Sequence, residues 1–287
     1  MRTAYIGSSG FAAAVLETLA GSPHRPLLVI TRPPRPAGRG RHVAPTPVAA
    51  AAVALGIELA APARLEDAAA ALAQLAPEAI CLCAYGALVR EPLLSDYEIL
   101  NVHPSLLPRW RGAAPIERAI IAGDELAGVS IMRLVAELDA GPICAQSSTV
   151  LGTEDFGALS DRLAEIASRL LVGALDGPRV WVEQPAEGVT YAEKITAADR
   201  VLDPARGAVE LERVVRALHP HIGARLADGL GVLEARVSEQ RAPLGGLVVR
   251  DGRLLYGARD SALELLIVKP PGGRAMDGAS FVRGHAV

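Results

Sequence analysis

Asn101 and His103 stand two positions apart at the end of an apolar run that begins at Tyr97. If that run is the last part of a buried strand, both side chains leave the backbone on the same side. An amide able to donate to a developing oxyanion then lies beside an imidazole able to move protons near neutral pH. A third residue, Asp139, sits between Leu138 and Ala140-Gly141-Pro142, a carboxylate on a glycine turn. These three side chains are the parts needed for acyl transfer through a tetrahedral intermediate without a covalent enzyme stage. A solitary histidine is more often satisfied by backbone groups. The shared face with Asn101 and the polar turn that follows favour a catalytic role for His103. Asp139 is the weaker candidate by itself, since Asp-Ala-Gly is also a good turn sequence.

Placing these residues falls to an alternation of short apolar runs and helical segments. Residues 3–6, 27–31, 79–83, 99–102, 128–135 and 143–150 read as strands, and 11–19, 47–55, 65–75, 115–122 and 156–171 as helices. Such alternation argues for an α/β domain with a largely parallel sheet. Ligands on these sheets gather at the carboxyl ends of strands, where Asn101 and His103 fall. Residues 176–200 lose all period and read as a linker. A helix over 209–218 follows, then short alternating segments at 231–237, 246–249, 253–256 and 263–268, with Asp251-Gly252 as a hairpin turn. A small antiparallel barrel fits this second part.

The chain has 287 residues, enough for two domains, and is 51% hydrophobic but only 3% aromatic, which favours an aliphatic core. A net charge of −3 singles out neither nucleic acid nor membrane. Residues 200–287 carry 13 basic and 10 acidic residues against 16 and 22 over 1–199, a mild hint that the second part meets a polyanion. Cysteines are few and odd in number, which argues against a disulfide scaffold and for a reducing compartment. Cys81-Leu82-Cys83 is expected to place its thiols on opposite faces of a strand and so to form no clamp. No secretory signal opens the chain, and no apolar run approaches the roughly 20 residues of a membrane helix. A cytoplasmic location is expected, with no membrane partner.

Other motifs carry less. Gly7-Ser8-Ser9-Gly10 lacks the G-x-G-x-x-G fingerprint and reads as a strand-to-helix turn, so no dinucleotide is inferred. Residues 31–41 hold four arginines and no acid among prolines and glycines. This basic loop suits a phosphate backbone as well as it suits plain solvent. His219-Pro220-His221 has no Cys, Asp or Glu cluster beside it and reads as a helix end, so no metal is expected.

The run Asn101-x-His103-x-Ser105-Leu106-Leu107-Pro108, followed by Arg111-Gly112-x-x-Pro115, resembles the hallmark of the formyltransferase family that uses 10-formyltetrahydrofolate. Within that family the likeness is to enzymes acting on charged tRNA. Residues 35–40 resemble their acceptor-stem loop, Ala84-Tyr85-Gly86 their folate-side loop, 191–195 their interdomain linker and 269–276 the end of their C-terminal barrel. Two places depart from the pattern: Ser9-Gly10 stands where Pro and an acid are usual, and Pro104 where Gly is common.

The resemblance implies an α/β fold class, with a Rossmann-like, mostly parallel sheet in a formyltransferase domain and a small OB-like β-barrel after it. The implied division is a catalytic domain over 1–175, a linker over 176–202 and a tRNA-binding barrel over 203–287. It implies transfer of formyl from 10-formyltetrahydrofolate to the α-amine of initiator methionyl-tRNA by a monomer. Asn101 would hold the oxyanion, His103 would help move the proton and polarise the formyl oxygen, and Asp139 would tune His103 and order a water for proton shuttling. Ser105, Leu106, Leu107 and Pro108 would line the folate pocket, and Arg35, Arg39 and Arg41 would meet tRNA phosphates. Two other readings stay open at this point. One is a sugar or small-amine N-formyltransferase with the same donor. The other is a non-catalytic RNA-binding protein on the same scaffold.

Overall fold

Runs of fully buried residues build the centre of the first sheet. The chain opens with β1 (Thr3–Gly7), α1 (Gly10–Ala20) and β2 (Leu28–Ile30), then pairs β3 (Arg35–Ala37) with β4 (His42–Ala44). α2 (Pro47–Leu55), β5 (Glu58–Ala60), α3 (Ala69–Leu75) and β6 (Ala79–Cys83) follow. Next come the short α4 (Leu93–Asp96), β7 (Ile99–His103), β8 (Arg111–Gly112), α5 (Pro115–Ala122), β9 (Leu126–Arg133), β10 (Ile143–Val150), α6 (Phe156–Asp176) and β11 (Tyr191–Ala192). The computed structural model describes residues 1–37 and 42–284.

Seven strands form one sheet in the order β10-β9-β7-β6-β1-β2-β5. β5, β2, β1, β6 and β7 run parallel to their neighbours, and β9 turns back antiparallel to β7. β1, β6 and β7 are buried at every residue, as strands covered on both faces must be. Helix ends follow from local sequence. Ser9 and Thr46 accept the Ala12 and Ala49 N–H groups at the starts of α1 and α2, and Gly56 ends α2 in the left-handed region at φ 65°. Ser9-Gly10, one of the two departures from the family pattern, is therefore a cap and a first helical residue.

The expected placement of the two thiols needs correcting. Side chains two apart on a strand share a face, so Cys81 and Cys83 lie together. Tyr5 of the adjacent β1 lies against both of them, while Ile80 and Leu82 join Ala4 and Ile6 in the core on the other side. Burial pushes both thiols up to about 12. The Tyr5 hydroxyl donates to Ala12 O at 2.6 Å, and burial first, then the two cysteines, raise it well above its ordinary range.

Compactness divides the chain into two units with non-contiguous borders. The first contains Met1–Ala113, Ala127–Thr149 and Ser160–Ala192; the second contains Ala114–Leu126, Val150–Leu159 and the chain from Glu193 onward. Most of the segment read as a linker, as far as Ala192, is ordered within the first unit. Val182 pairs antiparallel with Ile143, and β11 pairs parallel with β8.

The second unit is built on α7 (Ala208–Leu218), whose Leu211, Val214, Val215 and Leu218 are buried. They pack with residues of an antiparallel sheet: β12 (Ala224–Arg225), β13 (Gly231–Ser238), β14 (Leu247–Arg250), β15 (Arg253–Gly257), β16 (Ala262–Lys269) and β17 (Met276–Asp277). α8 (Gly278–Gly284) ends the described chain. The sheet order is β12-β13-β16-β15-β14, with β17 on β16. Asp251 and Gly252 both take positive φ, the primed turn that matches the twist of the β14–β15 hairpin. His219 caps α7, and the His221 ring stacks on Phe156 with its Nε2 3.0 Å from Glu117 Oε1. Among the described residues no group of His, Cys, Asp or Glu is placed to hold a metal ion, and no helix is long and apolar enough to cross a membrane.

Candidate active site

β7 delivers Asn101 and His103, both buried, to the carboxyl end of the parallel sheet beside antiparallel β9, with Asn101 opposite Met132 and His103 opposite Ser130. After β9 the chain turns through Asp139, whose φ of +46° is unusual for a residue with a side chain. That conformation aims the carboxylate back at β7. Asn101 Nδ2 donates to Asp139 Oδ1 at 3.3 Å, and the Gly112 N–H donates to Oδ2 at 2.8 Å. The same Oδ2 stands 3.6 Å from His103 Nδ1. The structure thus brings the three residues together.

The histidine is held from its other side. His103 Nε2 lies 2.8 Å from Trp110 O, and a carbonyl can only accept, so Nε2 carries a hydrogen. A neutral imidazole held this way presents a bare Nδ1 toward Asp139, ready to take a proton beside a carboxylate. An amide has two hydrogens, and Asp139 takes one from Asn101. The other is available to an oxygen on which charge develops.

Trp110, Arg111 and Gly112 are fixed by the segment that ends in β11. Trp110 N donates to Thr190 Oγ1 at 2.9 Å, and Arg111 N to Thr190 O at 2.9 Å. Gly112 has a φ of +123°, and a Cβ there would come within 2.7 Å of Ala192 O. Glycine is required at this point by both conformation and space.

The 105–108 turn is braced from below. Ser105 Oγ donates to Arg109 O at 2.7 Å, and Ser130 Oγ donates to Ser105 O at 2.7 Å. Gln146 Nε2 donates to Leu107 O at 3.0 Å and to Ser130 Oγ at 2.8 Å. Ser105 and Leu107 are buried in this network, while Leu106 and Pro108 keep part of their apolar surface. Gly128 has no side chain where Leu106 and Ser147 O come close. Arg35 is exposed at the start of β3; Arg39 and Arg41 lie outside the described residues.

Comparison with known proteins matches residues 1–175 to the formyl transferase family and 194–286 to the formyl transferase C-terminal domain. The chain belongs to the formyl transferase family. It is similar to the methionyl-tRNA formyltransferase of Cereibacter sphaeroides, at 41% identity over all of this chain and 97% of that protein. It is also similar to that of Halorhodospira halophila, at 41% identity over 99% of this chain and 96% of the relative. Among solved structures, HypX from Aquifex aeolicus in complex with tetrahydrofolic acid shares the fold, with a TM-score of 0.70 at 16% identity. That match covers 98% of this chain, which spans 47% of the longer HypX chain.

This formyltransferase therefore carries its Asn, His and Asp in one cluster within its first unit. Three participants stand outside the residues that the sequence singles out: the Trp110 carbonyl, the Gly112 N–H and Gln184, whose side-chain amide bonds Asp139 O, Gly141 O and the Arg111 guanidinium. Trp110 and Gly112 act through their backbones, and Gln184 comes from a segment without period. Arg111-Gly112 within the family hallmark was the only signal in the sequence that pointed toward them.

Proposed function

We propose that this formyltransferase moves the formyl group of 10-formyltetrahydrofolate onto the α-amine of methionine carried by initiator tRNA. The observation that carries the reading is whole-length likeness to methionyl-tRNA formyltransferases at 41% identity. The Asn101–Asp139–His103 cluster gives it a chemical basis.

When bound, the folate supplies the formyl group in an activated, amide-like form. The chain's own residues do the rest. Asn101 donates its second amide hydrogen to the formyl oxygen as charge develops there. His103 takes the amine proton at Nδ1, while Trp110 O holds its Nε2–H, and delivers that proton to the departing folate nitrogen as the bond between it and the formyl carbon breaks. Asp139 holds the Asn101 amide and stabilises the positive charge that develops on the His103 ring. Ser105, Leu106, Leu107 and Pro108 make the folate-side wall, with Leu106 and Pro108 contributing the apolar surface left open by the turn's own hydrogen bonds. Arg35, Arg39 and Arg41 grip tRNA phosphates. In this reading residues 1–175 carry the catalytic side chains, 176–202 run on to the second unit while bracing the first as far as Ala192, and 203–287 meet the tRNA, in a monomer of the cytoplasm.

The test is formyl transfer from 10-formyltetrahydrofolate to charged initiator tRNA and, in parallel, to nucleotide-linked amino sugars. The wild type should formylate the tRNA and leave the sugars. Loss of one oxyanion donor costs about 10²–10³ in rate, and Asn101→Ala should fall at least that far with little change in KM. Turnover of the sugar alone would reassign the substrate. An Asn101→Ala enzyme near wild-type kcat would reject the site. Replacing Arg35, Arg39 and Arg41 together with Ala should raise KM for tRNA and flatten its salt dependence.

A further inference from the structure

We propose that Gln184 is a positioning residue for formyl transfer, holding Asp139 and the Arg111 turn in register through one side-chain amide. The inference rests on the site described above. Gln184 Nε2 donates to Asp139 O and to Gly141 O, both at 2.8 Å. Its Oε1 accepts from Arg111 Nε at 3.1 Å and from Arg111 Nη2 at 2.8 Å. Both amide hydrogens and the amide oxygen are thereby committed.

What these bonds connect gives them their importance. Asp139 sits at positive φ, a conformation that persists only where the surroundings impose it. The two Nε2 bonds bracket that turn, one on Asp139 itself and one two residues later. On the other side, Arg111 is buried and lies between the two backbone groups that complete the site. Its predecessor Trp110 receives the His103 Nε2–H, and its successor Gly112 donates to Asp139 Oδ2. One glutamine thus ties the main chain of the carboxylate to the turn that holds both the carboxylate and the histidine. The distance from Asp139 Oδ2 to His103 Nδ1 is set through this link, and displacements of about 1 Å in such a geometry cost about 10²-fold in rate.

Gln184 is itself anchored on the first unit's sheet. Val182 pairs with Ile143, the Arg133 guanidinium lies 4.6 Å over the Trp181 ring, and Arg179 bonds Glu98. Tyr191 and Ala192 then pair with Arg111 and Gly112. The glutamine is held from both chain directions and is not a mobile side chain that meets the site by chance.

The amide's two ends can be separated by substitution. Gln184→Glu keeps an acceptor for Arg111 but cannot donate to Asp139 O or Gly141 O. Gln184→Met keeps length and removes all four bonds. The experiment measures kcat, KM for charged initiator tRNA and the melting temperature for wild type, both variants and Asn101→Ala, all as full-length protein. Gln184→Glu should lose about 10- to 100-fold in kcat with KM within about 2-fold and little change in melting temperature. Gln184→Met should lose at least as much; if it does not fold, Gln184→Glu decides alone. A Gln184→Glu kcat within about 3-fold of wild type overturns the role. So does a loss matched by the fraction of unfolded protein at the assay temperature. A wild type that turns over and an Asn101→Ala that does not, beside an unimpaired Gln184→Glu, reject Gln184 and leave the site standing. A wild type without turnover, or an unimpaired Asn101→Ala, rejects the site and this inference with it.

Discussion

Asp139 Oδ2 and His103 Nδ1 face each other at 3.6 Å, just beyond hydrogen-bond length, while the other ring nitrogen is already bonded to Trp110 O. The carboxylate is held for this approach by two donors, Asn101 Nδ2 on one oxygen and Gly112 N–H on the other. Asp139→Asn keeps the shape but offers only one accepting oxygen. Its NH₂ must then face either the Asn101 amide or the Gly112 N–H, donor against donor. We expect kcat to fall about 10²- to 10⁴-fold, the range of a lost proton-transfer function, with KM for tRNA little changed. Single-turnover kinetics separate this loss from any change in binding.

Gly112→Ala combines an adverse φ of +123° with a Cβ 2.7 Å from Ala192 O. The N–H that orients Asp139 moves with that backbone. A loss of about 1–3 kcal/mol in stability is expected together with a loss of turnover. Gly173→Ala is the contrast. This glycine lies inside α6 with nothing within 4 Å of an added Cβ, and alanine there should raise stability by about 0.5–1 kcal/mol and leave activity unchanged. Urea unfolding curves of the two variants check both directions.

Acid sensitivity in the second unit should trace in part to Asp199. Desolvation pushes its carboxyl up, but the Arg118 guanidinium and the Thr196 N–H and hydroxyl outweigh it and bring the group down to about 2 from 3.8. A depressed carboxylate contributes stability that is fully present above its unfolded value and is lost as pH falls through its folded value. The contribution should therefore be intact above about pH 4 and gone near pH 2. Asp199→Asn should flatten the pH dependence of unfolding in that window and leave the slope above pH 5 as it was. Denaturant melts across pH 2–6 decide it.

Thiol reactivity should sort by burial. Cys81 and Cys83 are fully buried on β6 and held near 12, so at pH 8 almost no thiolate is present. Cys144, at the edge strand β10, is raised as well, mainly by partial burial. A water-soluble disulfide reagent at pH 8 should label Cys144 alone in the native protein, and slowly, with all three thiols reacting after denaturation. Rapid native labelling of Cys81 or Cys83 would contradict the packing of Tyr5 against them.

Local sequence alone determined the longer elements and the chemical inventory, while short ones such as β5, β8, β11 and β17 left no pattern long enough to read. Period marks the longer strands and helices, and Asp251-Gly252 does turn a hairpin, because turn preferences act within a few residues; the caps at Ser9 and Thr46 are local in the same way but are not singled out by the sequence pattern. The placement of Asn101 and His103 on one face follows from the strand period alone. That same rule, applied correctly to Cys81 and Cys83, puts them together as well. What only the tertiary structure decided is the company these residues keep. Gly112 N–H reaches Asp139 across 27 residues and Gln184 reaches it across 45, separations that no local pattern encodes, and Trp110 acts through a carbonyl that any residue would supply. Residues 176–192 show no period because they are held by isolated pairings and not by a long element of their own. Their order comes from Val182 on Ile143 and β11 on β8, pairings with partners about 40 and 80 residues earlier that exist only once the first unit has folded.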